Sequence, residues 1–186
     1  EAKGGLLAGK IVTEICMGGL GEARLFYAKY DSIELASISV FTDNPAIATL
    51  GSQFAGWHIK VGGYSAIGSG PARALSLKPK SIYETIGYKD KADKAVLVLE
   101  TSEEPPEEAI EHISKLCGVD PESLFLILVP TSSIAGLTQV SGRIVETGIH
   151  KLAKLGFDPK LVKYAHGYAP IMPVHPRYTE AMGRAN

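Results

Sequence analysis

Gln139, Arg143, Glu146 and His150 follow one another at intervals of four, three and four residues in TSSIAGLTQVSGRIVETGIHKL, residues 131–152. At about 100° per residue on a helix these side chains fall within an arc of roughly 60°. Carboxylate, guanidinium and imidazole on one line are the residue types of acid–base chemistry. On a single helix Ile134, Leu137, Ile144, Leu152 and Leu155 would form the opposite, packing side. An ordinary solvated face reads the same way, because an exposed Arg/Glu pair at i, i+3 adds only about 0.2–0.5 kcal/mol. Gly136, Gly142 and Gly148 argue for more. An interior glycine costs about 1 kcal/mol against alanine and marks close approach of a backbone or ligand.

Two further stretches could hold a ligand. GSGPAR (68–73) is a glycine-rich turn into a helix start, a geometry suited to phosphate. It lacks the third glycine of a dinucleotide fingerprint and the Lys-Ser/Thr of a P-loop, so a tight structural turn is the better reading of the motif alone. Pro130-Thr131-Ser132-Ser133 joins an apolar strand to a helix, where hydroxyls can cap the helix, face a ligand, or both. The histidines, His58, His112, His150, His166 and His175, contain no i, i+4 pair, so no metal is expected. No Gly-x-Ser-x-Gly elbow is present and neither cysteine has a neighbouring base.

Composition sets the outer limits. With 19 Lys plus Arg against 20 Asp plus Glu, the net charge is −1, and neither nucleic acid nor a membrane surface is an expected partner. Cys16 and Cys117 stand far apart without metal-ligand spacing, which fits a reducing compartment, and a cytoplasmic location is expected. The longest apolar run, around Leu124–Val129, is far too short to span a bilayer. Glu1 in place of an initiator methionine, and the abrupt AMGRAN ending, read as the interior of a longer protein.

The elements that must position these residues follow from periodicity. Leu6–Met17 reads as a helix stopped by Gly18-Gly19, and 22–30 and 35–42 as strands. Asn44-Pro45 opens a helix through about Ala55, Trp57–Val61 and Tyr64–Ile67 are short strands, and Pro71 and Ser81–Ile86 begin and form further helical turns. Ala95–Leu99, Pro106–Cys117, Leu124–Val129 and 132–155 then alternate strand, helix, strand, helix, which implies a parallel pair after a more antiparallel first half. No internal domain boundary is legible.

With these residues in view, the chain resembles the methenyltetrahydromethanopterin cyclohydrolases. CMGGLG (16–21), TDNPAIATLGSQFAGW (42–57), GSGPARALSLKPK (68–80), PTSSIAG (130–136), SGRIVETGIHK (141–151), GFD (156–158) and AMGRAN (181–186) match that family's motifs in order. The resemblance implies an α/β fold of mixed sheets with packed helices, a two-domain architecture of which residues 1–186 are an incomplete central part. It also implies a homo-oligomer, a trimer in the family, with no tightly bound cofactor and a pterin one-carbon carrier as substrate.

The family's catalytic pair falls on Arg143 and Glu146. The reaction it implies is reversible hydrolysis of 5,10-methenyltetrahydromethanopterin to the 5-formyl form. Glu146 would steer and deprotonate water beside an amidinium carbon, with Arg143 holding the carboxylate. Gln53, Phe54, Ser69, Gly70, Arg73, Thr131 and Ser132 become substrate-binding candidates. Phe54 departs from the Lys or Tyr usual at its position and can neither donate a proton nor carry charge. A pterin-binding fragment without turnover and, further off, a nucleotide-dependent oxidoreductase using GSGPAR are the alternatives.

Overall fold

The computed structural model describes residues 4–175 together with 177, 180 and 183. The AMGRAN motif, apart from Gly183, lies outside the described residues. Two sheets organise the chain. The first is antiparallel, in the order β1-β2-β7, built from β1 (Glu22–Tyr30), β2 (Ile33–Thr42) and β7 (Ala165–Pro170). Its register runs from Glu22 opposite Phe41 to Tyr30 opposite Ile33, and from Ser37 opposite Pro170 to Thr42 opposite Ala165.

The second sheet has the order β3-β4-β5-β6, from β3 (Trp57–Val61), β4 (Tyr64–Ser69), β5 (Ala95–Glu100) and β6 (Leu124–Leu128). Its first three strands are antiparallel neighbours, and β5 pairs with β6 in parallel. The crossover between those two strands is α4 (Glu107–Cys117), which carries Glu107 and Glu108 in its first turn, as the helix dipole favours. It buries Ala109, Ile113 and Cys117, spaced four apart, and ends where Gly118 takes the left-handed φ of 70°. The expected mixed α/β architecture is therefore present.

Three apolar clusters hold the layers together. One joins Ile38 and Val40 of the first sheet to Leu50, Tyr83, Leu137, Val145 and Ile149 from the helices. A second packs Trp57, Ile59, Leu97 and Leu99 on Ile113 and Cys117. The third, Val12, Cys16, Val98, Val129 and Ala135, lies between α1 (Leu6–Cys16), the β5–β6 strands and α5 (Ile134–Ser141). Here small residues let two helices close on each other. A Cβ on Gly9 would meet Thr138 Cβ at 2.4 Å, and one on Gly142 would meet Thr13 Cγ2 at 2.6 Å.

The expected single helix over 132–155 is two helices. α5 stops at Ser141, Gly142 and Arg143 form the joint, and α6 runs Ile144–Lys154. Gly142 sits against Thr13. The face expected to pack is not the one that does, before the joint or after it. Leu137 is buried, but Ile134, Ile144, Leu152 and Leu155 are exposed, Leu155 at 72%. α6 instead buries Val145, Glu146 and Ile149. Of the three glycines, Gly136 and Gly142 are crowded and Gly148 faces open space.

The segment after Asn44-Pro45 is helical as expected, but wider than an α-helix. Ala46–Gln53 is a π-helix whose closing bond, Phe54 N–H to Thr49 O at 2.8 Å, skips five residues. Such wide turns occur as short insertions, often at functional sites. Two short helices follow the second hairpin, α2 (Ala72–Ser76) and α3 (Lys80–Ile86).

Candidate functional site

Arg143 stands at the joint before α6 and Glu146 in its first turn, where a carboxylate is favoured by the free N–H groups and the dipole. Arg143 donates to Glu146 Oε2 through Nε at 2.9 Å and through Nη2 at 2.6 Å. Both donors converge on one oxygen, a charge-assisted arrangement that anchors Oε2 and leaves Oε1 to other partners. Glu146 is only 2% exposed, so this ion pair is not the solvated pair that its spacing also allowed.

The end of the π-helix forms the opposite wall. Gln53, its last residue, is fully buried and donates from Nε2 to Gly142 O at 3.1 Å, the carbonyl next to Arg143. Its Oε1 has no hydrogen-bond partner among the described residues. Helix ends leave carbonyls without partners, and here other segments supply them. Arg73 donates from Nη1 to Leu50 O and Ser52 O, both at 3.1 Å, and from Nε to Lys78 O at 2.9 Å. Tyr83 Oη donates to Gly51 O at 2.7 Å, and Gly70 N–H to Ser52 O at 2.8 Å.

Arg73 is fully buried, and its Nη2 has no described partner. Burial is the main cause that brings its pKa down to about 10; Tyr83 and Glu146 oppose the shift, and Arg143 adds to it. Charge on Arg73 is thus felt at the Arg143–Glu146 pair. Its guanidinium carbon also lies 5.4 Å from the centre of the Phe54 ring. That ring is 4.8 Å from the ring of His150, the next residue of the polar line. Phe54 and His150 share a cavity of about 340 Å³ with Leu50, Ile82 and Lys154.

A smaller polar cluster abuts the pair. Cys16 Sγ lies 3.4 Å from Ser69 Oγ and accepts from Gln139 Nε2 at 3.7 Å, while Ser52 Oγ donates to Cys16 O at 2.6 Å. Burial pushes the Cys16 thiol up, with smaller opposing pulls from Ser69, Arg143 and Gln139. The thiol therefore keeps its proton.

GSGPAR serves here as scaffold. Gly70, at a φ of 108°, spends its N–H on Ser52 O, and Arg73 caps the π-helix. Thr131 is buried and hydrogen-bonded through Oγ1 to the Glu100 carboxylate. Ser133 takes the capping role at α5, accepting from Gly136 N–H at 3.0 Å. Ser132 is exposed and lines a different groove, about 450 Å³, with Ser65, Thr101, Glu103 and Pro130 at the carboxyl ends of β5 and β6.

The residues brought together are thus Gln53, Phe54 and Arg73 around Arg143 and Glu146, with Ser69 and Gly70 behind them and Ser132 apart. Reading the sequence did not find Cys16, Ser52 and Tyr83, which complete the walls through contacts that no local spacing encodes. Among the described residues, no three His, Cys, Asp or Glu side chains cluster as metal ligands would, and no helix is long and apolar enough to cross a membrane. A buried carboxylate hydrogen-bonded by one guanidinium, with a second nearby and a buried amide oxygen alongside, can bind and deprotonate a small polar molecule.

Known proteins match this chain from end to end. The family model described as Cyclohydrolase (MCH) covers residues 1–186. A methenyltetrahydromethanopterin cyclohydrolase of Methanospirillum hungatei is 51% identical over 183 residues, 98% of this chain and 58% of the relative. Proteins of the same name from Methanococcoides burtonii and Methanocaldococcus jannaschii are 47% and 50% identical over 186 and 182 residues, covering 100% and 96% of this chain and 58% and 56% of theirs. The chain spans less than three-fifths of the length of these relatives. On this evidence the chain belongs to the cyclohydrolase (MCH) family.

Proposed function

We propose that this chain is the central portion of a methenyltetrahydromethanopterin cyclohydrolase. The complete protein would hydrolyse 5,10-methenyltetrahydromethanopterin reversibly to the 5-formyl form in one-carbon metabolism. The observation that carries the reading is the buried Arg143–Glu146 pair, Oε2 held by two guanidinium donors. The names of the relatives supply the substrate.

The chemistry follows from the charges. The substrate is already a cation at an amidinium carbon, so a well-placed base is needed to generate the nucleophile. Water attacks that carbon, a C–O bond forms, and the C=N π electrons return to nitrogen as Glu146 takes one water proton. Collapse to the formyl group breaks the C–N bond as the adduct hydroxyl gives up its proton, and the departing nitrogen takes one, so that one of the two water protons ends on nitrogen. One further proton is released per turnover. Arg143 holds the carboxylate in place during the attack, Gln53 Oε1 accepts a hydrogen bond from the water, and Arg73 Nη2 donates to the developing formyl oxygen. Phe54 contributes an apolar ring beside the reacting centre.

No cofactor enters this mechanism. A cytoplasmic homo-oligomer, a trimer, is the assembly that accompanies the reading. The test is loss of the near-ultraviolet absorbance of the methenyl substrate with the full natural chain. Hydrolysis well above the spontaneous rate supports the assignment; a folded protein that binds the pterin without accelerating hydrolysis overturns it in favour of a binding role.

A further inference from the structure

Hydrolysis of a cationic amidinium to a neutral formyl product releases one proton per turnover, and the base that takes it is 2% exposed. A sealed carboxylate needs a route to solvent for that proton. We propose that His150 is this route: a relay that accepts the surplus proton from Glu146 and delivers it to the cavity at the protein surface. The inference rests on the cyclohydrolase reading above.

His150 is one helical turn beyond Glu146 on α6, at i+4. Side chains so spaced are neighbours on a helix face, with Cβ atoms about 5–6 Å apart, and proton transfer through one intervening water suits such neighbours. The imidazole is half-buried, touching the Phe54 ring at 4.8 Å and lining the 340 Å³ cavity. It therefore shares a helical line with the buried base and borders a surface cavity. Imidazole is the side chain suited to taking up and giving up a proton near neutral pH.

The other neighbours do not serve. Arg143 and Arg73 hold their protons, and Cys16 is fully buried with its thiol pushed up by desolvation. Around His150, α6 itself presents Glu146 and Lys154 and α3 presents the hydroxyls of Ser81 and Thr85. Leu50 and Phe54 face it without charge, with the Arg73 guanidinium against the same Phe54 ring.

In the transfer, the Glu146 carboxylic acid loses its proton, His150 gains it at one ring nitrogen and loses one from the ring to solvent. No electrons move between redox states. The experiment compares full-length wild type, His150→Ala and His150→Gln in dilute buffer and with added imidazole. The expected result is a kcat about 10-fold lower in both variants at unchanged KM, below the roughly 10²–10⁴-fold of a group acting directly on the reacting atoms. Added imidazole restores that rate saturably and leaves wild type unchanged. Variants as fast as wild type in dilute buffer, or a loss that imidazole does not restore, overturn the proposal. His150→Gln retains a planar side chain against Phe54, so a folding defect confined to His150→Ala leaves the comparison intact. A wild-type protein without hydrolysis contradicts the underlying reading instead, and is distinguished by that control.

Discussion

Alanine placed at Gly136 and at Gly148 gives opposite outcomes from one and the same substitution. A Cβ on Gly136 would stand 2.2 Å from Pro130 O and 2.9 Å from both Pro130 C and Thr131 Cα. All three are backbone atoms, so no side chain can swing away, and α5 must separate from the 130–131 turn. Overpacking of this kind costs about 1–3 kcal/mol and occasionally more; with backbone on both sides the upper end, about 3 kcal/mol, is expected. At Gly148, in the interior of α6, nothing lies within 4 Å. Alanine there gains about 1 kcal/mol of helix propensity. For a domain of this size 1 kcal/mol moves Tm by roughly 2–4 °C, so Gly136→Ala should melt roughly 6–12 °C lower and Gly148→Ala roughly 2–4 °C higher. Thermal unfolding followed by circular dichroism on the full-length proteins reads both. A Gly136→Ala protein as stable as wild type, or a Gly148→Ala protein that is less stable, refutes the packing argument.

Other consequences are equally open to measurement. Arg143→Lys keeps the charge but loses the two-pronged grip on Glu146 Oε2, and kcat should fall by on the order of 10²-fold with the protein still folded; a rate within a few-fold of wild type would mean that charge alone suffices. Burial pushes the Cys117 thiol from 9.0 up to about 12. Below pH 9 it is protonated whether the chain is folded or not, and between pH 9 and 12 only the unfolded chain ionises, so stability should decline with rising pH over that window. Cys117→Ala should flatten that decline, which urea titrations at several alkaline pH values would show. Cys16 is also free, fully buried and raised, so a thiol reagent at pH 8 should label neither cysteine in the native protein and both in urea.

Periodicity was enough for most of the framework. The alternation in 22–30 and 35–42 and the strand–helix–strand order from Ala95 correspond to β1, β2 and the parallel β5–β6 pair. β7 is different: AHGYAP has a glycine and a proline and little β-branching, and it is a strand because β2 offers it a partner edge. The π-helix could not be told from an α-helix, since a single wide segment of eight residues leaves no distinct period. The joint at Gly142–Arg143 is not legible because helices tolerate glycine; here Gly142 packs against Thr13, distant in sequence. The face expected to pack is exposed on both sides of the joint, at Ile134 before it and Leu152 after it.

The site shows the same division. Spacing placed Arg143, Glu146 and His150 on one line, while only the likeness to a family singled out the pair. Their surroundings are long-range: Gln53 reaches Gly142 across 89 residues, and Arg73 completes a helix end 21 and 23 residues upstream. Ser132 illustrates the limit of motif reading, because neighbours in PTSSIAG turn to different purposes. Thr131 binds Glu100, Ser132 faces a separate groove and Ser133 caps α5.

The central claim is that Glu146 is the base. The direct measurement is the hydrolysis rate of 5,10-methenyltetrahydromethanopterin by full-length Glu146→Gln beside wild type, with pterin binding measured on both. The amide keeps the shape of the carboxylate but cannot take a proton from water. A kcat lower by at least on the order of 10²-fold with binding retained is the predicted result. A glutamine variant that hydrolyses the substrate at the wild-type rate would contradict the account.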